Sequence, residues 1–91
     1  MNTQNYVSQL EDKGIEFRFT KIEKIEDLQK VKDEMRGDRI LIVKITSILS
    51  KSLEQAEYAL QELHSYCLNE GFALARMGQG RVLILPPYVM F

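Results

Sequence analysis

Six consecutive residues, Ile40-Leu41-Ile42-Val43-Lys44-Ile45, carry five aliphatic side chains and one lysine. A run of that length is a β-strand with apolar side chains on both faces of its sheet, because successive residues point to opposite sides. Any fold built around it must cover two faces of one strand. Val82-Leu83-Ile84-Leu85 imposes the same demand near the other end of the chain.

The remaining elements follow from periodicity and punctuation. Ile15-Glu16-Phe17-Arg18-Phe19-Thr20-Lys21-Ile22 alternates apolar and polar residues, which predicts a half-buried strand with Ile15, Phe17 and Phe19 on one face. Leu28, Val31 and Met35 recur at helical spacing over residues 26–36, and Gly37 is placed to close that helix in a left-handed cap. After the strand at 40–45 comes a loop rich in Ser and Thr. Ser52 and Gln55 then have capping-box spacing ahead of a long helix whose apolar stripe reads Leu53, Ala56, Leu60, Leu63, Cys67 and which Gly71 stops. Residues 72–77 and 82–85 flank Gly78-Gln79-Gly80 as a β-hairpin, and Pro86-Pro87 ends its second strand because proline lacks the ladder donor. Residues 1–14 form an N-terminal segment with one or two helical turns at most. Residues 15–91 form one α/β sandwich domain of order β-α-β-α-β-β, with Tyr88–Phe91 as a tail or a further edge strand.

Two helices are few for such a sheet. Strand-helix-strand crossovers share one hand, so both helices can fall on the same face and leave the other bare. The chain has 91 residues, and a domain near this size buries only about 60–65% of its unfolded surface. A second subunit or an apolar peptide is therefore expected on the uncovered face. Helices on opposite faces, closing the core within a monomer, are the alternative.

Composition excludes several functions. Residues 1–38 hold seven Lys/Arg against nine Asp/Glu, and residues 39–91 hold five against four. Neither half is a basic patch of the kind that phosphate neutralisation requires, which argues against nucleic acid as the main partner. Met1–Lys13 lacks a signal-peptide core, and no stretch approaches the roughly 18 apolar residues of a membrane span. With a single cysteine, Cys67, the chain reads as cytoplasmic.

Catalytic chemistry finds little support. His64 is the only histidine, with only Cys67 at i+3, too few ligands for a His-based metal site. Cys67 lies on the core stripe, near Glu62 and Glu70, where a thiolate is disfavoured. Gly78-Gln79-Gly80 sits between two strands, not between a strand and a helix N-terminus, so it is a turn and not a phosphate loop. Glu23, Glu26, Asp27, Asp33 and Glu34 alternate with lysines and read as a solvated face. The expectation is a non-enzymatic protein with no catalytic residue, metal or cofactor.

From about Leu28 to Pro87 the order and spacing of elements resemble the core of SepF, the cytoplasmic protein that links the tubulin-like division protein FtsZ to the membrane. The resemblance rests on Arg36-Gly37-Asp38-Arg39 before the hydrophobic strand and on the long helix closing at Gly71. It continues with Arg76-Met77-Gly78 and the strand ending at Pro86. It implies an archaeal-type SepF-like α/β sandwich that forms a homodimer, often assembles further, and binds the C-terminal tail of FtsZ at the division site. The tail-binding candidates it implies are Arg76, Gly78, Val82 and Ile84. Val82 departs from the aromatic residue frequent there. Ala56, Ala59, Leu60 and Leu63 are the dimer-interface candidates on the long helix. SepF proteins also begin with an amphipathic membrane-targeting helix, whereas residues 1–14 offer only Tyr6, Val7 and Leu10 as an apolar stripe and Lys13 as a basic residue. Two rival readings are a small-ligand-sensing regulatory domain acting as a dimer and an RNA-binding sheet, the latter weakened by the acidic balance.

Overall fold

A computed structural model describes residues 14–87 of the chain. The elements are β1 (Phe17–Lys21), α1 (Asp27–Met35), β2 (Ile40–Lys44), α2 (Thr46–Lys51), α3 (Leu53–Glu70), β3 (Ala73–Met77) and β4 (Arg81–Leu85). The expected N-terminal turns and the tail at 88–91 lie outside the described residues.

The four strands form one sheet in the order β1-β2-β4-β3. The two strands with continuous apolar runs, β2 and β4, are the central pair and run antiparallel. β1, whose residues alternate, is an edge strand parallel to β2, and the alanine-containing β3 forms the other edge as the hairpin partner of β4. Only the central strands have both faces fully dry, so the hydrophobic pattern alone sorts the strands into these places.

All three helices pack on one face. Leu41, Val43, Val82 and Ile84 meet Leu28, Val31 and Met35 of α1, Ile48 of α2, and Ala56, Ala59, Leu63 and Cys67 of α3. On the opposite face Ile40, Ile42, Leu83 and Leu85 form a second apolar layer, with Ile15, Phe17 and Met77 packed against it. Those four side chains are between 0% and 9% exposed in a single chain. The expectation of a bare second face is corrected: the centre of that layer is closed without a partner. Phe19 remains 66% exposed at its margin.

Three local readings change. The Ser/Thr-rich stretch after β2 is a helix and not a loop. In α2, Ile48 is buried, Ser50 Oγ donates back to the Thr46 carbonyl at 3.0 Å, and Ser52 serves both as the last residue of this turn and as the cap of α3. The left-handed residue after α1 is Asp38, at φ 53°, and not Gly37. Here Arg36 N and Gly37 N donate to the carbonyls three residues back, Asp33 and Glu34, so the helix end tightens into a 3₁₀ turn and the reversal comes one residue later. Asp tolerates that conformation better than most non-glycine residues. Asp27, read as part of a solvated face, instead organises the turn that starts α1, its Oδ2 accepting from Glu23 N at 2.9 Å and Lys24 N at 3.3 Å.

Other expectations hold. Ser52 Oγ accepts from Gln55 N at 3.2 Å, and Gly71 closes α3 at φ 78° with its N–H directed to the carbonyls of Cys67 and Leu68. The stripe of α3 is rotated, however. Its buried residues are Ala56, Ala59, Leu63 and Cys67, while Leu60 is half-buried and Leu53 is 63% exposed.

Two predictions follow from this packing. Leu63→Ala should lower unfolding free energy by about 2–5 kcal/mol, whereas Leu68→Ala, at a position 67% exposed, should change it by about 0.5 kcal/mol or less; urea denaturation of the two variants tests this contrast. Asp27 carries a second expectation. Hydrogen bonds from backbone donors, that of Glu23 foremost, hold its carboxyl below the ordinary 3.8. A depressed folded pKa stabilises the fold above the unfolded value and loses that contribution as pH falls through the folded one. Asp27→Asn should therefore cost about 1 kcal/mol at pH 7, and the gap should close below about pH 4, as read from denaturation curves at several pH values.

Candidate functional site

The β3–β4 hairpin and α3 position the residues singled out for partner binding. Arg76 is exposed on β3, opposite Val82 of β4, and so lies on the helix-bearing side of the sheet. Its Nη2 reaches the Gln79 carbonyl at only 3.4 Å, a long contact that leaves the guanidinium available. Gly78 is exposed in the turn at φ 66°. Arg76 and Gly78 thus share one end of the hairpin.

Val82 and Ile84 do not join them. Both are 0% exposed, sealed between the sheet and the helices. Ala56, Ala59 and Leu63, the dimer-interface candidates beside Leu60, are at most 1% exposed because the face of α3 that carries them packs on the sheet. Leu60 alone of that set reaches the surface.

An apolar flank of α3 was missed. Lys32 of α1 sits 5.1 Å from the centre of the Tyr66 ring, so the Tyr66 side of α3 faces α1. At 100° per residue, Leu53, Leu60, His64 and Leu68 fall on the other side, toward β3. Gly71 reverses the chain between α3 and β3, so the helix start lies near the strand end that bears Arg76. Leu53 and Leu68 are 63% and 67% exposed, whereas Phe72 is half-buried in a small cleft with Met35 and Tyr66, on the α1 side. The outer flank of α3 is thus an exposed apolar strip that includes Leu53 and Leu68. The signal was present in the sequence: α3 has more apolar positions than one buried stripe can use.

A second concavity, a cleft of about 550 Å³, lies at the opposite edge of the sheet around β1. Among the described residues, five basic residues line it, Arg18, Lys21, Lys30, Lys44 and Arg81, against the carboxylate of Glu34. Three of these cations come from three strands and meet only through the sheet register, which a linear reading does not display.

Burial pushes the Cys67 thiol up to about 11, so a thiolate is not available near neutral pH. His64 is exposed on the outer flank of α3. Among the described residues no cluster of His, Cys, Asp and Glu is arranged to hold a metal ion, and no helix is long and apolar enough to cross a membrane.

Comparison with known proteins then places the architecture. No family model matches the chain, and no curated protein matches it in sequence. Two solved structures superpose closely. A SepF-like protein from Pyrococcus furiosus aligns with a TM-score of 0.75 at 23% identity, over 85% of this chain and 93% of that one. A SepF-like protein from Archaeoglobus fulgidus aligns with a TM-score of 0.71 at 16% identity, over 80% and 87%. This chain has the SepF-like fold. The resemblance drawn from the order of elements is thereby supported at the level of architecture, through the sheet, the long helix and the hairpin.

The hairpin is tied to α2 of this SepF-like fold at one point that can be tested. Ile45 N donates to the Gly80 carbonyl at 2.8 Å, and a Cβ on Gly80 would come within 2.5 Å of Thr46 Cγ2. Gly80→Ala should therefore destabilise the domain by about 1–3 kcal/mol. Thr46→Ser, which removes the clashing methyl, should recover most of that loss in the double variant, as measured by thermal denaturation.

Proposed function

We propose that this protein is a non-enzymatic cell-division adaptor that self-associates and binds the C-terminal tail of FtsZ on the cytoplasmic side of the membrane. The observation that carries the reading is the superposition on SepF-like proteins over 85% and 80% of the chain. The exposed apolar flank of α3 and the exposed Arg76 support it independently. A short linear segment needs apolar seats for its side chains and a cation for an acidic group, and Leu53, Leu60, Leu68 and Arg76 offer both. Val82 and Ile84 then act from below, by holding β4 and hence the turn at Gly78. Self-association uses surfaces other than the buried positions of α3.

Binding of the FtsZ C-terminal peptide, followed by fluorescence anisotropy or calorimetry, tests this reading. Arg76→Glu should weaken binding at least about tenfold, or about 1.4 kcal/mol, with circular dichroism and thermal midpoint unchanged. Leu68→Asp, on the exposed flank, should weaken it as well. Unchanged affinity in Arg76→Glu would remove Arg76 from the site. No binding by the unaltered protein would overturn the adaptor reading.

A further inference from the structure

Lys21, Lys44 and Arg81 are register partners on three adjacent strands, Lys21 opposite Lys44 and Lys44 opposite Arg81. All three are exposed. Like charges directly opposite one another on a sheet destabilise it. Only Lys21 has an ion pair, with Glu23 at 3.6 Å, and both of its members are largely solvated. Lys30, Lys44 and Arg81 have no ion pair among the described residues, and Arg18 reaches Glu16 only at 3.8 Å. Nothing in the fold requires this row. A local rule broken without structural gain is a mark of function.

The cleft beside the row has an unusual wall. Four successive residues of β1, Arg18, Phe19, Thr20 and Lys21, all line it. Successive side chains of a strand point to opposite faces. The cleft also takes Lys30 and Glu34 from α1 on one face and Ile42, Lys44 and Arg81 from the other, so it wraps around the edge of β1. The backbone there is open. Ile40 N donates to the Glu16 carbonyl and Ile22 N donates to the Lys44 carbonyl, so the even-numbered residues of β1 turn their backbone groups toward β2. Those of Phe17, Phe19 and Lys21 point outward, where no strand pairs with β1 among the described residues. Thr20 Oγ1 and Glu34 Oε2, both in the cleft wall, are buried without a hydrogen-bond partner.

We propose that the β1 edge is a docking site for an acidic, extended peptide segment, which adds to the sheet as a fifth strand beside β1. The segment pairs its backbone with the outward groups of Phe17, Phe19 and Lys21. Its side chains alternate, so acidic residues on one side reach Lys21 and Lys44, and those on the other reach Arg18 and Lys30. A donor on the second side can satisfy Glu34, and the exposed Phe19 ring packs on an apolar residue between the acids. A single small anion would meet the cations of one face and leave the backbone edge untouched. The site lies at the opposite edge of the sheet from Arg76 on β3 and does not depend on the function proposed there.

The test uses the full chain and a fluorescein-labelled peptide of alternating glutamate and valine, about eight residues long, a usual strand length. Anisotropy should show saturable, salt-sensitive binding. The double variant Lys44→Glu/Arg81→Glu should weaken it at least tenfold, while Arg76→Glu, at the far edge, should leave it unchanged. Phe19→Pro removes an outward donor that the sheet does not use, and should weaken binding well beyond Phe19→Ala. Should the proline variant fail to fold, a peptide N-methylated at alternate residues takes its place and should bind at least tenfold more weakly than the unmethylated one. Equal binding by a proline-interrupted peptide of the same charge would overturn strand addition. So would binding of inorganic phosphate or anionic vesicles that survives Phe19→Pro and outcompetes the peptide. Absence of peptide binding at low salt would overturn the site.

Discussion

The antiparallel pairing of β2 with β4 is the interaction from which the rest of this structure follows. The pair brings together Ile40 to Val43 and Val82 to Leu85, eight apolar side chains divided equally between two faces. Burying each contributes about 1.5–3 kcal/mol, so neither strand can sit at an edge with one side in water. That requirement forces the hairpin to fold back until β4, and not β3, lies beside β2. It also demands a cover on each face, and the helices supply one of them.

How α3 covers its face decides where the surface features fall. The side chains it buries against the sheet include two alanines, Ala56 and Ala59, which let the helix approach closely, with Leu63 and Cys67 continuing the seam. With small residues at the centre of contact, the larger apolar side chains Leu53 and Leu68 are displaced to the flank and stay exposed. α1 takes the other side, held by Val31 and Met35 and by the approach of Lys32 to Tyr66. The apolar flank therefore lies on the side of α3 away from α1.

Most of this architecture was legible because strong signals agreed: continuous runs for the central strands, period-two alternation for β1, the Ser52 cap and the Gly71 stop for α3. What escaped had physical reasons. α2 is six residues long and rich in Ser and Thr, whose side chains compete for backbone groups in unfolded or turn conformations. It persists because Ile48 is buried under tertiary packing, which no local propensity reveals. The α3 stripe was displaced because leucines were weighted over alanines, and for a helix lying flat on a sheet the small residue is the inward one. The burial of Val82 and Ile84 was not legible, because a fully buried strand position and a groove-lining one carry the same amino acids. The bare face was inferred by counting helices, yet Ile40, Ile42, Leu83 and Leu85 are at most 9% exposed in the single chain.

Because folding requires β2 and β4 to be occupied on both faces, only the edges and helix flanks remain free to meet other molecules. The two edges differ in kind. At β3 the adjoining surface is apolar with one cation, suited to a segment that inserts hydrophobic side chains. At β1 the outward backbone is unpaired among the described residues, and the surface is cationic on both sides of the strand. An exposed strand edge invites unwanted pairing, and charged side chains are the usual deterrent. Lysines and arginines of one sign deter a second copy of the same edge by repulsion, yet they admit a strand of opposite charge. The mutual repulsion of Lys21, Lys44 and Arg81 therefore does at the edge what apolar continuity does at the centre. It determines which strand can lie alongside.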